Sequence, residues 1–418
     1  RTSPLDRWTP MTVPAAAAMA FYGVMAAPLA FATLLITSVV DGHLDWADAA
    51  WIATVAGFVA WPAMLLLSIA VKWLVIGRYR PGRYPVWGFY FLRWWIANRF
   101  QDLAWAELFR GTPLMSLYWR AMGAKVGRNV TVATSHCCAF DLISIGDNTS
   151  IGLETQILGY SVEDGYLVIA PTAIGNDCFV GMHCAIGLNT RMGDGARLDD
   201  LSLLAEGTVM EPGECRRGVP AAPAAVEVPV SPPSSSFKSS GERPYARVMF
   251  GLAHLVLIYV MGYFLIAVSV PSAALVLGTL YHGGPYWAVA AGFAAVPVWL
   301  LSYVLGAIVL RLAIGYLKAG RFRLNSLGYL RHWFSAYLVE NTKSILMPVY
   351  ATVYLPTLFR ALGARIGRGV EMSTVSHICP DLLEIGDGSF MADACLVGGM
   401  RVHNGIAEFG HVQIGSKS

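Results

Sequence analysis

The stretch Ala173–Leu198, AIGNDCFVGMHCAIGLNTRMGDGARL, repeats an aliphatic residue followed by glycine at intervals of six. A small residue stands four positions after most of the aliphatic ones. This pattern is the hexapeptide signature of a parallel β-helix, in which each repeat makes one short strand and one corner. We therefore predict a left-handed, three-sided prism with an aliphatic interior. Its predicted inward residues are Ile174, Val180, Ile186, Met192, Leu198, Leu204 and Met210.

The seven cysteines of the chain include no CxxC pair, which argues against a disulfide framework. Reduced thiols fit the cytoplasmic side of a membrane. We expect Cys178, Cys184 and Cys395 to fill small interior positions of the coils. Because those thiols face inward, CFVGMHC is not predicted to hold a metal. His183, inside the same stretch, is interpreted as an exposed corner rather than a catalyst.

The composition indicates a membrane protein with soluble parts. Of the 418 residues, 56% are hydrophobic and 14% are charged, whereas ordinary soluble domains carry about 25% charge. A net charge of +3 without a basic, aromatic run gives no reason to expect a nucleic-acid partner. Apolar stretches long enough to cross a bilayer predict two transmembrane hairpins. The stretches are 13–40, 49–76, 248–281 and 287–312.

The charges flanking the hairpins predict their orientation. Neither hairpin loop, 41–50 or 281–286, contains Lys or Arg, whereas basic residues follow both hairpins. The positive-inside rule then places the soluble domains in the cytoplasm, on a multi-pass plasma-membrane protein. The aromatic, partly basic stretches after each hairpin predict helices lying in the membrane interface. The alternative is that they pack between hairpin and soluble domain.

The chain repeats itself at an offset of 240 residues. RAMGAKVGRNV at 120–130 returns as RALGARIGRGV at 360–370. The predicted fold class is mixed, with transmembrane α-helical hairpins alternating with left-handed parallel β-helix domains in an internal duplication. Both ends of the chain read as cut points in a longer polypeptide, and the linker should be extended or mobile. The predicted segments are 1–80 (first hairpin), 81–122 (interfacial helices), 123–217 (β-helix domain), 218–246 (Pro/Ser/Ala-rich linker), 247–316 (second hairpin), 317–362 (interfacial helices) and 363–418 (second, truncated β-helix domain).

The six-residue period fails at the same two places in each copy. One residue is inserted within TSHCCAFD (134–141) and within TVSHICPD (374–381). A longer irregular stretch follows in both copies, before the IG at 174–175 and before the IG at 414–415. Function usually lies where loops leave a regular scaffold.

Each first break carries a histidine and an aspartate: His136 with Asp141, and His377 with Asp381. The functional interpretation is a histidine general base, oriented by the carboxylate, that activates an amine or hydroxyl against a thioester. The alternative is that His136 fills an inward position and Asp141 caps a turn.

Three stretches together carry a family resemblance: 93–130 (RWWIANRFQDLAWAELFRGTPLMSLYWRAMGAKVGRNV), 140–152 (FDLISIGDNTSIG) and 159–181 (GYSVEDGYLVIAPTAIGNDCFVG). With the tandem hairpins, they resemble the C-terminal membrane region of nonribosomal peptide synthetases of the ε-poly-L-lysine synthetase type. The resemblance covers nearly the whole chain. The chain differs from that family in two ways. It shows four membrane spans and one and a half soluble domains, and it has no adenylation or carrier segment.

The resemblance implies an amino acid activated with ATP, loaded on a phosphopantetheine carrier and joined by acyltransferase-related domains. The two breaks would then be acceptor-site loops, and the implied partners are adenylation and carrier domains and the bilayer. The chain itself would bind no cofactor; its substrate would be tethered to phosphopantetheine.

The leading hypothesis is a membrane-bound acyl or peptidyl transferase module that forms amide bonds. The second is a non-catalytic membrane scaffold that docks the carrier and product. A metal site like that of γ-class carbonic anhydrases is a third and weaker reading, because His183 lacks partners at suitable spacing. The two β-helix copies are expected to pair with each other or to form a homo-oligomer.

Overall fold

The computed structural model describes residues 5–225, 244–403 and 405–418. Backbone contacts divide the chain into two units, residues 1–232 and 233–418. Most of the predicted linker, 218–246, lies outside the described residues. Its first part is described, and strand Ala222–Pro223 pairs antiparallel with Arg216 and Arg217, at the end of the β-helix.

The first unit begins with a helical hairpin and two shorter helices. Asp45 caps the second helix by accepting a hydrogen bond from the Asp48 amide at 2.7 Å. A π-helical turn, Lys72–Ile76, extends that helix. The fourth helix ends at Gly123, whose φ of +112° suits glycine. The helices are α1 (Leu5–Val40), α2 (Trp46–Val71), α3 (Phe89–Leu103) and α4 (Pro113–Met122).

The rest of the first unit is mainly short strands, with 3₁₀ turns at Ala106–Phe109 and Phe140–Leu142. In chain order the strands are β1 (Gly82–Pro85), β2 (Lys125–Val126), β3 (Thr131–Val132), β4 (Ile143–Ile145), β5 (Ser150–Ile151), β6 (Tyr160–Glu163), β7 (Tyr166–Ile169), β8 (Thr172–Ile174), β9 (Phe179–Val180), β10 (Ala185–Ile186), β11 (Thr190–Met192), β12 (Arg197–Leu198), β13 (Leu203–Leu204), β14 (Val209–Met210), β15 (Cys215–Arg217) and β16 (Ala222–Pro223).

Most of these strands stack in three parallel sheets, one for each face of a β-helix. The faces are β2–β4–β8–β11–β14, β3–β5–β9–β12–β15 and β10–β13. Met192 pairs with Ile174 on one side and with Met210 on the other, so a regular coil takes three hexapeptides. All seven aliphatic residues that the six-residue period predicts to point inward are buried. The predicted interior of the solenoid is therefore confirmed.

The longer irregular stretch before Ile174 forms a β-hairpin outside the coil. Strands β6 and β7 pair antiparallel, and β1 adds to the free edge of β7. The prediction of helices alone in 81–122 is therefore wrong for β1. Helix α3 packs against the β6–β7 hairpin and against the stretch with the one-residue insertion, 134–141. Trp94 and Ala97 share a buried cluster with Cys138 and Leu167. The same cluster contains Ile76, at the end of the first helical hairpin, which supports packing of α3 between that hairpin and the soluble domain.

The second unit again has a helical hairpin, two shorter helices and a solenoid, with fewer described coil strands. Three parallel pairings, β18–β21–β26, β19–β22 and β20–β23, form the coils, and β17–β25–β24 forms an antiparallel sheet. Short 3₁₀ turns lie at Met347–Val349 and Pro380–Leu382. The elements are α5 (Pro244–Gly283), α6 (Pro285–Ile314), β17 (Gly320–Arg323), α7 (Leu327–Ile345), α8 (Leu355–Ala361), β18 (Arg365–Ile366), β19 (Glu371–Met372), β20 (Val375–Ser376), β21 (Leu383–Ile385), β22 (Phe390–Met391), β23 (Cys395–Leu396), β24 (Arg401–His403), β25 (Ile406–Phe409) and β26 (Val412–Ile414).

The cysteines follow the interior prediction in one unit only. Cys178 and Cys184 are buried and unbridged, as expected. Cys395 is only half-buried, so its predicted interior place is wrong. In the first unit the corresponding Thr155 is covered by the next coil, through a hydrogen bond to the Gly181 carbonyl at 2.7 Å. Within the described residues of the second unit, no further coil covers Cys395.

Four described helical segments are long and apolar enough to cross a bilayer, which is compatible with membrane association. Three of them agree with the predicted bounds to within three residues, and the first begins eight residues later than predicted. They are Phe21–Val40, Trp46–Ile76, Ala246–Gly283 and Pro285–Ile314.

Candidate functional site

Asp141 lies against the end of the first helical hairpin. Its carboxylate is 2.8 Å from Lys72 Nζ, and the two side chains are 10% and 0% exposed. The carboxylate also accepts a hydrogen bond from the Tyr79 amide at 3.0 Å. Gly123 closes over the pair, since a Cβ there would lie 3.0 Å from Lys72 Nζ. Asp141 therefore joins the hairpin to the solenoid, and none of its described contacts reaches His136.

Asp381 does the same in the second unit. It forms a buried ion pair with Arg311, near the end of α6, and accepts the Leu317 amide at 3.0 Å. Arg311 also donates to the Leu362 and Gly315 carbonyls at 3.0 and 2.8 Å. The predicted His–Asp pairs are thus corrected in both units, because a buried cation from the hairpin takes each aspartate.

His136 has a different carboxylate partner. Its Nε2 lies 2.8 Å from Glu154 Oε2, and its side chain is 46% exposed. The other Glu154 oxygen is bound by the Arg110 guanidinium, and Glu107 lies 3.7 Å from Arg110. The stretch with the one-residue insertion, 134–141, therefore places an accessible histidine beside a half-buried carboxylate. The alternative that His136 fills an inward position is wrong.

The coil geometry positions Glu154 beside His183. Both residues are at a left-handed corner, with φ of +56° and +49°. Adjacent strands are in register, since Gln156 pairs with Ala185 and the His183 amide donates to the Leu153 carbonyl. The same corner in successive coils is therefore Glu154 and then His183, separated by about 4.8 Å of coil rise. His183 is half-buried at this corner and flanks the His136 site.

The electrostatics suit a general base. The hydrogen bond that His136 donates to Glu154 raises the pKa of His136, while burial and the Arg110 charge oppose that rise. A carboxylate only accepts, so in the neutral ring Nε2 carries the proton and Nδ1 keeps a free lone pair. Nδ1 can then accept a proton from a nucleophile. In this arrangement Glu154 orients the His136 ring and Nδ1 faces away from that contact.

His377 is placed differently from His136. Its backbone amide donates to Glu340 Oε1 at 3.1 Å, and its ring Nδ1 is 3.8 Å from the same oxygen. The side chain is only 9% exposed and its φ is +60°. Helix α7, which carries Glu340, therefore covers this histidine.

Sequence reasoning missed Glu154 and Glu340. Glu154 falls in a regular repeat, eighteen residues from His136, and Glu340 lies in a helix outside the solenoid. The register between neighbouring coils is the signal that could have found Glu154. A residue one coil away lies next to the inserted residue on the same edge of the solenoid. No cluster of metal-ligating side chains is found in the described residues.

Comparison with known proteins gives one extended sequence match. No family model matches the chain. It is 30% identical over 361 residues to the delta-poly-L-ornithine synthetase of Acinetobacter baumannii (strain AB307-0294). The match covers 84% of this chain and 27% of that relative, so the chain spans about a quarter of the relative's length. The chain is thus similar to one part of a larger synthetase.

Solved structures that resemble the chain include bacterial acetyltransferases. A hexapeptide-repeat acetyltransferase from Vibrio cholerae is 15% identical and covers 40% of this chain and 92% of its own, with a TM-score of 0.23. A serine acetyltransferase from Neisseria gonorrhoeae is 17% identical and covers 54% and 95%, with a TM-score of 0.21. At these scores the likeness carries no conclusion about the site.

Proposed function

We propose that the chain is a membrane-bound acyltransferase module that forms amide bonds, with His136 as its general base. The observation that carries the proposal is the accessible His136–Glu154 pair at a break in the solenoid. Similarity to part of a poly-L-ornithine synthetase supports the reaction class. Because of that relative's name, L-ornithine is the first amino acid to test.

The proposed step transfers an aminoacyl group from a thioester to an amine. The amine nitrogen attacks the thioester carbonyl, the C–N bond forms and the C–S bond breaks. His136 Nδ1 takes a proton from the attacking nitrogen and returns it to the leaving thiolate. Glu154 holds the ring and stabilises its protonated form. The donor is a phosphopantetheine thioester on a carrier, loaded by an adenylation domain of the same polypeptide or of a partner.

We place this site at the cytoplasmic face of the plasma membrane. Four apolar helices and the basic residues that follow each hairpin support this orientation. Exposed Trp87 and Phe89, at the start of α3, fit an interfacial contact with lipid. We also infer that the two units arose by duplication and share the left-handed coil of hexapeptide proteins. Pairing of the two β-helices, or a homo-oligomer, completes the proposal.

The test uses the complete polypeptide that contains this chain, reconstituted in nanodiscs with ATP and L-ornithine. Amide formation is followed by mass spectrometry in His136→Asn and Glu154→Gln variants. Loss of a general base typically lowers a rate by about 10²–10⁴-fold. We expect a loss in that range for His136→Asn and a smaller loss for Glu154→Gln.

The matched controls are His43→Asn, in the loop between α1 and α2, and Glu206→Gln, at an exposed corner of the solenoid. Both should leave amide formation unchanged. If His136→Asn and Glu154→Gln form amide at the wild-type rate, the catalytic assignment fails. Unchanged amide formation without the whole chain would instead favour the non-catalytic scaffold.

A further inference from the structure

In the second unit, Ser376 takes the place that His136 has in the first. The two residues differ by the repeat offset of 240. Their backbone carbonyls make matching hydrogen bonds, from the Ile157 amide to His136 at 3.0 Å and from the Val397 amide to Ser376 at 3.1 Å. The histidine of this break, His377, stands one position later and faces α7. The second unit therefore presents a hydroxyl where the first presents an imidazole.

A lysine from α7 reaches that hydroxyl. Lys343 Nζ donates to Ser376 Oγ at 2.6 Å, within the reach needed for direct proton transfer. Ser376 is half-buried and Lys343 is about one-third exposed, so solvent and substrate can approach both. A serine bound to a lysine amine is one of the recurring arrangements for an activated nucleophile.

We propose that Ser376 is a nucleophile that accepts an acyl group, with Lys343 as its general base. The proposal rests on the proposed function for its thioester donor. Ser376 Oγ attacks the thioester carbonyl, so a C–O bond forms and the C–S bond breaks. The hydroxyl proton passes to neutral Lys343 and then to the thiolate. An amine next attacks the ester, which forms the amide and restores the Ser376 hydroxyl.

The charged and titratable groups around the pair come from three elements. Glu340, one turn earlier on α7, lies 3.8 Å from Lys343 Nζ. His377, after β20, lies 3.8 Å from the same glutamate. Tyr350, after the Met347–Val349 turn, is buried, and burial together with the Glu340 charge raises its pKa. An amine acts as a general base only in its neutral form, so the reaction of Ser376 should accelerate as the pH rises.

The experiment measures covalent labelling of Ser376 in the whole chain, purified in detergent. A fluorophosphonate is the main probe; Ser376 Oγ displaces fluoride from phosphorus and Lys343 takes the hydroxyl proton. The acetyl thioester of N-acetylcysteamine is the second probe and leaves an acetyl ester. Acid-quenched samples are digested, and labelled peptides are located by mass spectrometry. Ser344, exposed on the same helix, is the reference serine.

We expect Ser376 to be labelled much faster than Ser344 and to lose all label in Ser376→Ala. Lys343→Arg keeps the positive charge and a donor to Oγ but cannot lose its proton. It should slow labelling about 10²–10⁴-fold and abolish the rise with pH. Ser344→Ala should behave as wild type.

Labelling of Ser376 no faster than Ser344, or at an unchanged rate in Lys343→Arg, would overturn the proposal. Amide formation at the wild-type rate in Ser376→Ala would also overturn it. Loss of amide formation without fluorophosphonate labelling would make Ser376 a positioning residue, which is equally contrary. None of these labelling measurements depends on His136, so failure of the first-unit assignment is recognised separately.

Discussion

The ion pair between Lys72 and Asp141 offers a direct test of how the hairpin is held to the solenoid. Lys72 is fully buried and Asp141 nearly so, which makes solvent screening small. Removing one partner of a buried pair leaves an uncompensated charge and typically costs about 3–5 kcal/mol. Lys72→Met and Asp141→Asn should each destabilise the contact by that amount. The double variant leaves no buried charge and should recover most of the loss.

Hydrogen–deuterium exchange of the whole chain measures this effect locally. Each 1.4 kcal/mol is a factor of ten in an equilibrium constant. A cost of about 3–5 kcal/mol should therefore raise the locally open population, and with it the amide exchange rate, roughly a hundredfold to a few thousandfold. The affected amides are those of the 3₁₀ turn Phe140–Leu142 and of β4. Amides of β12 and of the second unit serve as internal references. Lys72→Met also removes a cation–π contact, with Nζ 3.4 Å from the Trp73 ring centroid.

The interaction energy between the Lys72→Met and Asp141→Asn substitutions tests the ion pair. Two single variants that exchange fast and a double variant that exchanges slowly indicate a true charge pair. A double variant whose cost equals the sum of the two single costs would refute the pairing and leave only lost packing. Single variants that exchange like wild type would show that Asp141 does not hold the hairpin.

Three further predictions concern the site, the thiols and the coil spacing. Since Glu154 raises the pKa of His136, Glu154→Gln should move the acid limb of the rate profile for amide formation to lower pH. Near neutral pH, N-ethylmaleimide should modify half-buried Cys395 well before Cys184, whose pKa burial raises to about 12; peptide mass spectrometry reads the order. Gly181→Ala would set a Cβ 2.5 Å from the Asp200 amide nitrogen and should cost about 1–3 kcal/mol by overpacking. Its Tm should fall below that of Gly410→Ala, where an added Cβ meets nothing within 4 Å and φ is not positive.

The sequence predicts the solenoid well because its constraint is local and repeated. Each inward aliphatic residue is fixed by its own hexapeptide, so Ile174 or Leu204 can be placed without any knowledge of the partner coil. The one-residue insertion near His136 is visible for the same reason. Strand β1 could not be predicted, because it forms only by adding to the edge of β7, more than eighty residues later in the chain.

Side-chain partners across the breaks were the harder part. Asp141 and His136 are five residues apart, and their proximity in sequence suggested a pair. A buried cation outcompetes a half-exposed imidazole for a carboxylate, because Lys72 has no water to replace the lost partner. Glu154, one coil away, is the carboxylate that pairs with His136. A prediction that includes the buried charges of the hairpin would have reached this pairing.

The two units also show why the aspartates align at the repeat offset and the histidines do not. Asp141 and Asp381 each neutralise a cation that arrives from a helical hairpin, and moving either by one residue would strand a buried charge. The neighbouring positions face solvent or α7 and carry no such penalty, so His136 in one unit can be Ser376 in the other. Glu154 is likewise replaced by Ala394 at the same left-handed corner, with φ of +57°. The ion pairs are thus common to both units, whereas the positions beside them carry an imidazole in one unit and a hydroxyl in the other.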